Sequence, residues 1–198
     1  MADPYTCVIT AMSRILLCAS CFWSAARTFQ EHRGASAGFL LQGVASILYT
    51  TNFLMPTLHT KDESYSTDSW GVPTIGFPLL AFSFFWMNGD HATANMVLGA
   101  TVLLSAGSGL MTQDGRLLAA HASCILAILG ILIVSIFTGN IYGITGSFGL
   151  GTASFLSIVK AENIIYVPGE VASNYIQAAS ILSCALALGN HQPEVLYH

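Results

Sequence analysis

Seven apolar stretches dominate this chain: Tyr5–Ala26, Ala37–Met55, Gly71–Met87, Ala94–Met111, Leu117–Thr138, Ile141–Val159 and Val171–Gly189. A helix rises about 1.5 Å per residue, so about 20 apolar residues cross about 30 Å of hydrocarbon. Each stretch meets or approaches that length. The runs are continuous, without the alternation of a membrane β-barrel. Inside lipid, a helix satisfies its own backbone polar groups. The sequence therefore predicts an all-α, polytopic transmembrane helix bundle with seven spans.

Charge excludes the other classes. Only 8% of the 198 residues are charged, against about a quarter in a soluble domain. A surface so short of charge would expose large apolar patches to water. Six Lys and Arg against ten Asp and Glu also exclude a nucleic-acid binder.

The separators read as water-side turns. Residues 27–36 are basic and polar, and 56–70 form the longest polar loop, with Lys61, Asp62, Glu63 and Asp68. Asn88-Gly89-Asp90-His91 is a short turn with Thr93 as the expected helix cap. Asp114-Gly115 and Gly139-Asn140 are tight turns, Tyr166–Gly169 suits a type II turn, and 190–198 is a short polar tail. Such short connections make neighbouring helices antiparallel, giving one helical domain over 1–198. The first stretch is too long, and lacks a basic lead-in, for a cleaved signal. If it lies along the surface instead, six crossings remain. Loop charges of two Lys/Arg against three give no orientation. Spans of 17–19 residues lean towards a thin, endoplasmic-reticulum-like bilayer.

Arg14 is the sharpest anomaly, about 13 Å into the first span. The preferred reading starts the span a turn later and lets the guanidinium reach the headgroups. The functional alternative pairs it with Asp90 or Glu162 inside the bundle. Asp90 and His91 sit at a helix-to-helix turn where caps are ordinary, and His121 lies one turn inside the fifth span. Folded together, the three would offer acid–base chemistry or a zinc site. Asn95, Asn174 and Gln177 are polar residues within spans, and Lys160, Glu162 and Asn163 read as an interfacial collar.

Cys7, Cys18, Cys21, Cys124 and Cys184 all fall in spans and read as packed thiols. The Cys18-Ala-Ser-Cys21 spacing stands mid-helix without a second pair, so neither metal nor cofactor is expected. Gly143, Ser147 and Gly151 recur every four residues, and Gly146 and Gly149 widen that face into a packing surface. Gly99, Ser105, Gly107 and Gly109 suggest the same in the fourth span.

Short class-level matches link the spans. Ile15–Ser20 resembles Val102–Gly107, Ser46–Asn52 resembles Ser135–Asn140, Gly76–Phe84 resembles Ser147–Phe155, and Ala94–Leu103 resembles Ser173–Leu182. Together they suggest a faint 3+3+1 repeat whose successive copies enter the membrane in opposite directions, as in secondary transporters. Three functions follow. The first is a bundle without catalytic residues, acting through helix packing on membrane lipids, other membrane proteins or a second copy. The second is a small transporter with a midplane site at Arg14, Asn95, Asn174 and Gln177, between helices broken at Pro73, Pro78 and Gly143–Gly151. The third is an intramembrane lipid hydrolase using Asp90, His91 and His121.

Overall fold

The structure, a computed structural model, describes residues 4–54, 71–107, 110–159 and 168–189. Within them lie seven helices: α1 (Pro4–Thr28), α2 (Arg33–Leu54), α3 (Gly71–Met87), α4 (His91–Gly107), α5 (Gln113–Phe137), α6 (Ile141–Val159) and α7 (Gly169–Gly189). Helix continues past the apolar runs wherever polar residues still favour it. So α2 and α5 each begin four residues before their apolar stretches. The polar 56–70 loop, Gly109, Lys160, Glu162, Asn163, Tyr166 and the 190–198 tail lie outside the described residues, as do the side chains of Cys7 and Pro73.

The turns follow from their residues. Gly89 (φ 80°) and Gly139 (φ 66°) take the left-handed conformation that glycine adopts without steric cost. Next to each, an N–H reaches back five residues, Asp90 to the Phe85 carbonyl and Asn140 to the Ser135 carbonyl, closing the helix end. The same residue then caps the following helix. Asp90 Oδ1 accepts from the Thr93 N–H at 3.0 Å, and Asn140 Oδ1 from the Gly143 N–H at 3.1 Å. The cap of α4 is thus Asp90, with Thr93 as its donor; the expectation of Thr93 placed it three residues late.

α1 packs on α2 and α7, α2 on α3, α3 on α5, α5 on α6, and α6 on α7. Six helices thereby close a ring. α4 stands outside it, laid against α3 with little contact to α5. The ring's centre is filled by Leu17, Phe39, Leu80, Phe84, Ile131 and Ile181, with Cys21 and Cys184 buried among them. From α4 only Ala94 and Thr101 are buried.

This pattern departs from the 3+3+1 scheme. That scheme equates α1–α2, an extensive pair, with α4–α5, which barely touch. The ring instead groups α1–α3 against α5–α7, with α4 as the connector. Sequences drawn from so few apolar residue types match one another without sharing a place in the packing. The expected helix breaks are also missing: α3 runs through Pro78 and α6 runs through its glycines.

Three described helices are long and apolar enough on their own to cross a membrane: Val8–Thr28, Gln113–Phe137 and Gly169–Gly189.

Candidate functional site

The polar groups converge where α1, α2 and α7 meet at one end of the ring. Arg14 Nε donates to Glu170 Oε1 at 3.1 Å, and its Nη2 reaches the same oxygen. Nη1 donates to the Tyr49 carbonyl of α2 at 2.7 Å. One turn of α1 therefore holds both neighbours. The Arg14 side chain is 14% exposed and that of Glu170 52%, so one end of the pair is enclosed and the other faces outward. Glu170 also occupies the first turn of α7, where the helix dipole favours a carboxylate.

A second layer braces this pair. Asn174 Nδ2 donates to Ser13 Oγ at 3.0 Å, joining α7 to α1. Ser46 Oγ donates to the Arg14 carbonyl at 3.1 Å. Ser173 Oγ donates to the Ala153 carbonyl at 2.9 Å and ties in α6.

Depth follows from helix length. About 21 Å of α1 separates Arg14 from Thr28, and about 28 Å of α7 separates Glu170 from Gly189. The pair therefore lies near one end of the ring, away from its middle. That corrects the midplane placement, which counted depth from Tyr5, whereas α1 extends well beyond the start of α7. Among the described residues the partner is Glu170 and not Asp90. Asp90 lies at the opposite end of the ring, and Glu162 is outside the described residues. Glu170 has a sequence signal, as an acidic residue in the first turn before an apolar run. The Tyr49 carbonyl has none, because a backbone acceptor carries no side-chain mark.

Of the other proposed substrate residues, Asn174 gathers here and Asn95 does not. Asn95 is exposed on α4, outside the ring and near its far end, whereas Asn174 is bonded to Ser13. Gln177 is half-buried, one turn along α7.

Asp90, His91 and His121 are also apart. Asp90 and His91 lie at the α3–α4 turn, while about 24 Å of α5 separates His121 from that end of the ring. The Thr93 hydrogen bond lowers the Asp90 carboxyl from its ordinary value, as expected of a cap. The His91 ring rests against Trp86 at 4.2 Å between centroids. His121 Nδ1 bonds to the Leu117 carbonyl on its own helix. No group of three or more His, Cys, Asp or Glu among the described residues could hold a metal.

The α6 glycines form two faces where one was expected. A Cβ on Gly143 would strike the Ser135 side chain of α5, and Phe84 of α3 lies 3.2 Å away. One on Gly146 would lie 2.6 Å from Cys184 Sγ and 3.1 Å from its backbone nitrogen, and one on Gly149 would strike Ser180, both on α7. Gly151 meets only Ile128 of α5, at 3.8 Å. Ser147 is fully buried between these faces and bonds to the Gly143 carbonyl at 2.8 Å. In α4, Gly99 and Gly107 face open space, so no close helix approach occurs there.

Fold and composition together define an all-α membrane protein, in which a few polar side chains, Arg14, Ser46, Ser173 and Asn174 among them, join one helix to another. The chain is 38% identical to transmembrane protein 276 of Homo sapiens over 161 residues, 81% of each chain. It is 35% identical to that of Rattus norvegicus over 179 residues, covering 90% of this chain and 91% of the relative. With that of Mus musculus it shares 34% identity over 188 residues, 95% of each. The chain belongs to the transmembrane protein 276 family. No family model matches it, and neither does any solved structure.

Proposed function

We propose that this protein is a seven-span bundle that acts through contacts with lipids and other membrane proteins and performs no chemistry of its own. The observation that carries this reading is the use of the ring's interior. Its centre is filled by apolar side chains, and Arg14, Ser46, Ser173 and Asn174 donate their hydrogen bonds to neighbouring helices. A transporter would need its polar residues around one cavity, and a hydrolase would need Asp90, His91 and His121 at one depth. Neither arrangement is favoured by the geometry.

The seven-span count is supported by the lateral packing of α2, α3 and α6 within the ring, alongside the three strongly apolar helices. At 17 residues, α3 and α4 extend about 25 Å, which suits a thin bilayer of the endoplasmic-reticulum type. The two glycine faces of α6 act as small-residue contacts for its neighbours.

The test is replacement in cells whose loss of this protein has a measurable phenotype. A variant with Asp90, His91, Asn95 and His121 all changed to Ala should restore full function. Loss of function with normal abundance would overturn the reading.

A further inference from the structure

α4 is the helix that the ring leaves out, and its outer face is bare. The helix packs on α3, and of its residues only Ala94 and Thr101 are buried. Met96, Val102 and Leu103 stay largely exposed, and a Cβ on Gly99 would meet nothing within 4 Å. α4 also carries no Asp, Glu, Lys or Arg. Two such faces can therefore meet without charge repulsion.

Asn95 points to what covers this face. Asn88, Asn140 and Asn174 donate to the Phe84 carbonyl, the Ala187 carbonyl and Ser13 Oγ. Asn95 is exposed and has no hydrogen-bond partner among the described residues. Its amide stands about 6 Å along α4 from His91. Against lipid, an unpaired amide costs free energy that a hydrogen bond from another chain offsets.

An amide both donates and accepts, so it is complementary to itself. Copies of one chain insert with the same orientation, so a two-fold axis between them runs along the membrane normal. A residue beside that axis meets its own counterpart at the same depth. A partner of different sequence would have to supply a matching amide there. The spacing agrees with a helix pair. Ala92, Asn95, Gly99, Val102 and Ala106 follow in alternating steps of three and four, and all are exposed. In left-handed pairs with that spacing, a single Asn fixes register and the two-stranded state.

We propose that the protein forms a two-fold dimer through parallel α4 helices, with Asn95 hydrogen-bonded to the partner's Asn95. The proposal rests on the seven-span reading, which sets α4 in lipid, and names a second copy as the membrane-protein partner.

The full-length protein, as donor- and acceptor-labelled copies, is reconstituted in phosphatidylcholine vesicles, and energy transfer is followed as the lipid ratio rises. Wild type should associate. Asn95→Ala should weaken association about threefold, because packing supplies most of the affinity. Asn95→Gln, which keeps the amide, should weaken it less. Gly99→Leu should abolish association, and it spares the fold because a side chain there meets nothing in its own chain. With the native cysteines replaced, a single cysteine at Gly99 should cross-link between copies under mild oxidation. One at Phe148, exposed on α6, should not. Monomeric wild type at every lipid ratio overturns the dimer. So does association that survives both Asn95→Ala and Gly99→Leu unchanged, or that cross-links at Phe148 in preference to Gly99. A membrane-impermeant thiol reagent separates the failures. If the Gly99 cysteine of a monomer stays unlabelled, the dimer alone falls; if it labels from water, the seven-span reading falls with it.

Discussion

Arg14 illustrates how the value of a charge depends on its surroundings. Left alone near the middle of a span, an Arg costs about 2.5–3.5 kcal/mol. Among the described residues it meets the Glu170 carboxylate and the Tyr49 carbonyl close to the end of the ring. Because Glu170 is half exposed, solvent screens the pair and its coupling should be about 1 kcal/mol at most. Arg14→Ala should cost more, about 1–3 kcal/mol, because it also strips the Tyr49 carbonyl of its donor. A double-mutant cycle with Glu170→Gln, read by thermal unfolding in detergent, should return a positive coupling energy. A coupling of zero would mean that the two side chains do not meet. The anomaly of Arg14 was legible in the sequence. Its partner was not, because the two residues are 156 positions apart and only the α1–α7 contact joins them.

At the scale of the element, α6 is the informative helix. Sequence spacing marks its glycines as packing residues, but spacing alone assigns them one face. The structure wedges α6 between α5 and α7, so Gly143 and Gly151 look one way and Gly146 and Gly149 the other. The consequences differ sharply between positions. A methyl group on Gly146 would press on Cys184 and on the α7 backbone, which cannot turn aside as a side chain can. Gly146→Ala should therefore destabilise by about 1–3 kcal/mol. Gly151→Ala has room, and should be neutral or stabilising by up to about 1 kcal/mol through helix propensity. Melting temperatures of the two variants in the same detergent check this. If both melt alike, the α6–α7 approach is looser than described. α4 shows the converse, since a Cβ on Gly99 or Gly107 would touch nothing. A small residue permits close approach but does not supply the neighbour.

For the molecule as a whole, the ring makes a prediction about topology. The 29–32, 88–90 and 138–140 turns share one end of the bundle, while the N-terminal end of α1 and the start of α7 share the other. Single cysteines introduced at Gln30, Gly89 and Thr138, with the native cysteines replaced, should label from one side of sealed vesicles. A cysteine at Glu170 should label from the opposite side. A cysteine at Val8 that labels from the Gln30 side would indicate that α1 lies along the surface and that six crossings remain.

Membrane residence, helical class and the main turns were readable from the amino-acid order because they depend on local quantities. Apolar run length sets whether a segment can cross lipid, and a glycine followed by Asp or Asn sets where one helix stops and the next begins. Which helices became neighbours was decided only by the tertiary structure. In a membrane protein built of largely apolar helices, lipid and protein interior offer nearly equal solvation, so hydrophobicity hardly distinguishes an inner face from an outer one. Close packing and a few interhelical hydrogen bonds make that choice. They closed six helices into a ring, left α4 outside it, paired Arg14 with Glu170, and set Asp90 and His91 far from His121.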